Sequence, residues 1–391
     1  MGLVCVLSPS VLFGGGVAHA HSSHGHGHGH GHGHGDGHGC TATLDDDVRE
    51  ALEDTLDALV VDTGAVGVVL GVSDECRSYR ISSGDADPDG AEPLSRNARL
   101  RIASVTKTFV SATLLQLVEE GVLSLDQPVS DFGDWLPDGD DITVRHVMNH
   151  TSGVADYIQD PEVLGSIFAG DGRVWTNEEL VEIAVAAGPQ FDPGDQFSYS
   201  NTGYILADLI IQSATGQTAA EQIRARFLDP LGMSATFSAS QEQVLGTLST
   251  GWMDIGSGSL EDVTYLADLS VAGAAGDITS NTRDLLTWTR ALYGGDLLED
   301  AQMDELLTTV PFGDGSGDEY GLGVMVFDYG DLGDFHGHAG GIWGNNSMVG
   351  YLPELDVSVV IITNSYPVDA RLLLDEVVDT IGEHLEDDDG C

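Results

Sequence analysis

Apolar positions along the chain fall into two spacings. Between Asp45 and Val61, the residues Val48, Leu52, Leu56 and Leu59 recur at helical intervals behind a run of acids, which predicts an amphipathic helix with negative charge at its N-terminus. Gly64 to Val72 is instead a compact, valine-rich run. Ser73-Asp74-Glu75 then turns the chain into Cys76 to Ser82, a predicted hairpin. A second helix is predicted over Val105 to Glu120, stopped by Gly121. From about Asp131 to Asp300 the signals are mainly helices and loops, with helices over Asn177 to Ala187, Tyr204 to Ala214, Ala219 to Leu228 and Thr282 to Leu292. Strand signals return at Gly321 to Phe327, Ser347 to Leu352 and Val357 to Thr363. A closing amphipathic helix spans roughly Asp369 to Leu385.

Strands from both ends of the chain must share one sheet to bury these runs. The pattern predicts an α/β chain of the α+β type: an antiparallel β-sheet flanked by the N- and C-terminal helices, joined to a mostly helical second lobe at about residues 131–300. A functional site is expected between the lobes.

Composition narrows the partners. The 391 residues carry 64 Asp and Glu against 14 Lys and Arg, a net charge of −50, with 41% hydrophobic residues. That is a globular composition, and its charge argues against nucleic acid and anionic membranes, which need cations. It suits a protein that stays soluble in high salt, where screening over about 3 Å at 1 M removes self-repulsion. Residues 1–20, with an apolar stretch from Leu3 to Phe13 and then Ala18-His19-Ala20, resemble a signal peptide, so an extracellular or cell-surface location is expected. Residues 21–40 read as a flexible Gly-His tether. Imidazoles at His24, His26, His28, His30, His32, His34 and His38 offer adventitious metal chelation there. With Cys5 in the leader, Cys40, Cys76 and Cys391 remain, an odd number whose pairing the sequence leaves open.

The chain holds one lysine, Lys107, three places after Ser104 in Ser104-Val105-Thr106-Lys107. An ammonium can give up its proton when buried; a guanidinium cannot. In a chain that otherwise uses only arginine, this position points to a nucleophile, Ser104, and its activator. Both fall at the start of the second helix, on one side and one turn apart, where helix amides favour a developing oxyanion.

Two further segments carry chemistry. Tyr199-Ser200-Asn201 follows the Pro193-Gly194 turn. Tyr199 beside a lysine ammonium is expected to lose its proton more easily and act as general base, while Asn201 offers a donor and an acceptor to a substrate amide. Gly337-His338-Ala339-Gly340-Gly341 reads as a loop before the strand at Ser347. Its glycines would let a substrate backbone lie close, a free amide there would complete an oxyanion hole, and His338 would meet a substrate carboxylate.

Together these elements resemble the serine β-lactamase and penicillin-binding-protein superfamily, in its class C β-lactamase-related branch of D-alanyl-D-alanine carboxypeptidases, D-aminopeptidases and esterases. The resemblance runs from about Asp62 to Ser365 and includes GVLSLDQPV (121–129), HVMNHTSG (146–153), FDPGDQFSYSNTGY (191–204) and Asn364. It implies one hydrolase domain over residues 41–391, a β-lactamase/transpeptidase-like fold and no cofactor. Ser104 would be the nucleophile, Lys107 the activator and Tyr199 the general base. Asn201, His338, Gly340 and Gly341 would bind substrate, with an oxyanion hole formed by the amides of Ser104 and Gly341. His150 and Ser152 belong to a family segment read as structural. His338 and Ala339 stand where many relatives have lysine and a hydroxyl residue, which favours D-amino-acid peptides or amides over β-lactams. A β-lactamase or esterase is the alternative within the family. A dead scaffold with a metal-binding His tail is the alternative outside it, and the intact Ser104, Lys107, Tyr199 and Asn201 argue against that.

Overall fold

A computed structural model describes residues 44–388. Helix α1 (Asp46–Thr63) starts where Asp45 caps the amides of Asp47 and Val48, and ends at Gly64 in the left-handed conformation (φ 68°). It buries Val48, Leu52, Leu56 and Leu59. The predicted hairpin follows as β1 (Gly67–Ser73) and β2 (Ser78–Gly84).

Five of the six remaining strands of the main sheet come from the far end of the chain's strand-rich stretch: β4 (Glu319–Tyr320), β5 (Met325–Asp328), β6 (Asp334–Ile342), β7 (Asn345–Leu352) and β8 (Val357–Thr363). The short β3 (Val310–Pro311) precedes them. The sheet is antiparallel in the order β2-β1-β8-β7-β6-β5-β4-β3. The strands from the two ends meet at its centre, with Leu70 opposite Ile361. Both β1 and β8 are buried along their whole length, because the sheet is covered on both faces. Val68, Leu70, Val72, Val359 and Ile361 pack with α1 and with Leu373, Leu374, Val377 and Val378 of α6 (Ala370–Asp388). The alternate residues Val69, Val360 and Ile362 face the second lobe.

That lobe is built around α2 (Thr106–Glu119), which is buried on nearly every side. Against it lie α4 (Asn201–Thr215) and α5 (Thr282–Tyr293), whose Trp288 stacks on Phe109 of α2 at 3.8 Å, while α3 (Asn177–Ala187) packs on α4. The lobe also contains small strands that the sequence pattern did not reveal. Leu100–Arg101 pairs with Ile278–Ser280, which pairs with Phe237–Ser238. Two-residue strands owe their pairing to tertiary contacts and leave no periodic trace.

Three expectations are corrected. The helix expected from Tyr204 starts at Asn201, so the second motif opens it. The helix expected over 219–228 changes at Arg224 into a π-helical turn. The strand expected over 321–327 is split into β4 and β5 by a turn in which Gly321 donates to the Val324 carbonyl.

Candidate active site

Ser104 sits in a 3₁₀ turn, Ala103–Val105, between a short strand and α2. Ala103 has φ +48°, a left-handed conformation that costs an alanine free energy and persists only when neighbours hold it. Here they do. The Ile102 amide donates to Ile278 O at 3.0 Å, and Ser347 Oγ of β7 donates to Ile102 O at 2.8 Å. Gly340 of β6 runs directly beneath: a Cβ there would collide with the Ile102 carbonyl and Ser347 Oγ and lie 3.2 Å from Ala103 Cβ. Gly340, read from sequence as a substrate contact, thus serves the close approach of the Ser104 turn.

Lys107 is wholly buried. Its Nζ lies 3.0 Å from Ser104 Oγ, 2.9 Å from Asn201 Oδ1 and 2.8 Å from Ala275 O. The rings of Tyr199 and Tyr204 stand 4.9 and 5.3 Å from it. Burial holds the Lys107 pKa well below the usual lysine value, with Asp156 pulling the other way. The ammonium and the neutral amine suit different chemistry here. An ammonium donates to all three partners. A neutral amine gives its two hydrogens to Asn201 Oδ1 and Ala275 O, which only accept, and so turns its lone pair to the Ser104 hydroxyl.

The phenol of Tyr199 behaves differently from its sequence-based expectation. Burial raises its pKa well above 10, and the hydrogen bond with Ser104 only partly offsets this. Lys107 faces the ring of Tyr199, an arrangement that stabilises the cation but does little for a phenolate. Tyr199 therefore rests as a neutral hydroxyl beside Ser104.

Asn201, expected to meet substrate, is buried as the first residue of α4. Its amide oxygen faces Lys107, and its Nδ2 donates to Asp156 Oδ2 at 3.0 Å. Asp156 was not singled out from sequence. Burial pushes its carboxyl up to about 6.

His338 calls for the largest correction. It lies inside β6, not in a loop, and is fully buried. Its Nδ1 lies 2.5 Å from Ala339 O, so Nδ1 carries the hydrogen and Nε2 must accept from the Tyr320 hydroxyl at 2.9 Å. Tyr320 in turn lies 3.0 Å from His150 Nε2, while His150 Nδ1 accepts from the Ser200 amide at 3.2 Å. Every donor in this row is thereby fixed, from the amide of Ser200 in the second motif to the carbonyl of Ala339 in the third. Burial, with Lys107 nearby, lowers His338 to about 3 and His150 well below 6.5. Neither ring offers a cation to a substrate carboxylate.

Gly341 pairs with Asn346 across β6 and β7. Asn346 gives its amide to Thr363 Oγ1 on the other side. The Gly341–Asn346 pair is therefore one whose backbone groups point apart, and the Gly341 amide faces the opposite edge of β6. On that edge β5 pairs only as far as Gly337, and the Ser104 turn packs over the face of β6 and β7. Beside the site, a cleft of about 490 Å³ is lined by Asp156, Tyr157, Gln190, Ser198 and Tyr199.

Among the described residues, no three His, Cys, Asp or Glu side chains gather to hold a metal, and no helix is long and apolar enough to cross a membrane. Cys76 is disulfide-bonded. The leader, the Gly-His tract (His24, His26, His28, His30, His32, His34, His38), Cys40 and Cys391 lie outside the described residues.

Comparison with known proteins identifies the lineage. The Beta-lactamase family model matches residues 49–380, and the chain belongs to that family. It is 28% identical to "Penicillin-binding protein 4*" of Bacillus subtilis (strain 168) over 299 residues, 72% of this chain and 64% of that one. The matches span between 32% and 64% of the length of the curated relatives. Among solved structures, the D-amino acid amidase of Ochrobactrum anthropi SV3, complexed with D-phenylalanine, superposes with TM-score 0.80 at 30% identity, covering 87% of this chain and all of that one. A D-stereospecific amidohydrolase from Streptomyces sp. gives 0.77 at 30% identity, covering 84% and 97%.

Proposed function

We propose that the protein is an amidohydrolase that cleaves amides of D-amino acids, or short peptides beginning with one, through an acyl-enzyme on Ser104. The observation that carries the reading is the buried contact of Lys107 Nζ with Ser104 Oγ at 3.0 Å, beside two carbonyl acceptors. As the Ser104 oxygen attacks the amide carbonyl, its proton passes to Lys107 and the oxyanion lies between the amides of Ser104 and Gly341. Tyr199, resting neutral, relays a proton to the leaving amine. Water then attacks the ester by the reverse route, releasing the acid and restoring Ser104.

The neutral His338 supports amides and amino-terminal cleavage over carboxypeptidase action, since a substrate carboxylate at this point would meet no cation. The two D-amino-acid-directed structural neighbours support the same choice. Penicillins should acylate Ser104 but turn over slowly, because nothing in the sequence marks a group dedicated to directing water onto their acyl-enzyme. The disulfide at Cys76 supports an oxidising compartment and hence the exported location read from the leader.

The test is turnover of D-phenylalanine amide, L-phenylalanine amide, a peptide ending in D-Ala-D-Ala and a penicillin, with intact-mass detection of a fluorophosphonate adduct on wild type and Ser104→Ala. Faster cleavage of the D-amide and loss of the adduct in Ser104→Ala are expected. Rapid multiple turnover of penicillin would make the protein a β-lactamase instead.

A further inference from the structure

An asparagine amide can face Lys107 with either end, and the two ends have opposite consequences. Oδ1 accepts from Lys107 and leaves its lone pair for Ser104. A flipped amide would offer N–H to Nζ, either opposing the ammonium or occupying the lone pair of the amine. The choice is made one residue further out. The Asp156 carboxylate accepts from Asn201 Nδ2 at 3.0 Å and from the Asn201 backbone amide at 3.2 Å. A carboxylate cannot donate, so Nδ2 must face it and Oδ1 must face Lys107.

We propose that Asp156 is a positioning residue that fixes the Asn201 amide and through it the direction of the Lys107 lone pair. The loop placement supports the assignment. Asp156 follows the His150–Gly153 segment, caps the 3₁₀ turn Tyr157–Gln159 through the Ile158 amide, and receives the first amide of α4, whose N-cap Ser200 makes no side-chain cap. The inference rests on the reading of Ser104 and Lys107 given above.

Asp156 also sets the charge around the base. The groups facing Lys107 are Ser104, Asn201, the rings of Tyr199 and Tyr204, the neutral His150 and His338, and Asp156, whose charge raises the Lys107 pKa. Those acting on Asp156 are Lys107, Asn201 and the Ile158 amide. Removing the charge therefore lowers the Lys107 pKa, and the ascending limb of kcat/KM moves to lower pH.

Two variants separate charge from orientation. In Asp156→Asn the charge is lost while one acceptor oxygen remains, with an NH₂ in place of the other, so the limb should move acidward and the plateau should fall, though less than in Asp156→Ala. In Asp156→Ala nothing holds the amide. There kcat should fall about 10²-fold with little change in KM, as misplacement of a catalytic group does. Both are measured on the intact protein by pH-dependent turnover of D-phenylalanine amide and by the rate of fluorophosphonate labelling of Ser104, alongside thermal melts. An unmoved limb in Asp156→Asn, or a change in KM alone, overturns the proposal, as does an Asp156→Ala loss that only tracks the unfolded fraction in the melts. A wild type that takes no label on Ser104 instead removes the reading on which the inference rests.

Discussion

His338 Nε2 accepts the Tyr320 hydroxyl at 2.9 Å, deep in the protein. A histidine in this bond has no proton to gain without breaking it. The sequence alone suggested a loop residue that would meet a substrate carboxylate. The fold makes it a neutral link between the strand that carries Gly341 and the segment that carries Tyr199.

Activity should therefore show no histidine limb near the ordinary value of about 6.5, and ring ¹⁵N spectra should hold His338 as the Nδ1–H tautomer from about pH 5 to 8. Stability should carry the signature instead. Between about 6.5 and about 3 the unfolded chain binds a proton at residue 338 that the folded one refuses. The contribution of His338 is thus complete above 6.5 and lost as pH falls toward 3, on the order of a few kcal/mol in total. Asp156 and Asp277, both raised to about 6, push the other way between about 4 and 6. Comparison with His338→Gln isolates the term. The wild-type advantage in urea melts should shrink as pH drops from 7 to 4, and a constant gap would refute it.

Lys107→Arg should be nearly as inactive as Lys107→Ala, each losing on the order of 10³-fold or more in the rate of Ser104 labelling. The pocket holds a compact amine against three oxygens with no exposed surface, and a guanidinium fills it without a lone pair to offer. An active arginine variant would show that charge alone suffices.

Gly340→Ala should displace the Ser104 turn. The added methyl meets the Ile102 carbonyl and Ser347 Oγ, the contacts that hold Ala103 in its left-handed conformation. A loss of about 1–3 kcal/mol in denaturant melts is expected, with labelling slowed about 10²-fold. Wild-type labelling by a stable variant would mean that the turn tolerates movement.

The charge of −50 predicts a strong salt requirement. Midpoints of thermal unfolding should rise between about 0.1 M salt, where the Debye length is about 10 Å, and molar salt, where it is about 3 Å. An equal or higher midpoint at low salt would overturn the high-salt reading.

Much of this was legible in the chain. The lone lysine exposed Ser104 and Lys107 because composition made it conspicuous, and β1 and β8 announced themselves as valine- and isoleucine-rich runs. β6 did not, since His-Gly-His-Ala-Gly-Gly lacks the branched residues that mark a strand; it is one because β7 pairs along nearly all of it. Asp156 was hidden among 64 acids. Its importance lies in two hydrogen bonds to a residue 45 places away, and spacing carries no trace of those. Tyr199 was recognised, but its protonation state is set mainly by burial, which only the fold shows.

The pairing of β1 with β8 sets an order of assembly. Ser104, Lys107 and Tyr199 all leave the ribosome well before residues 334–363, which supply Gly340, Gly341 and the strand that closes the sheet against β1. Such distant pairing is slow to form. A nascent chain that already holds Ser104 and Lys107 therefore has neither Gly341 nor the β7 contact that supports Ala103, so the proposed site is incomplete until the last strands have been made.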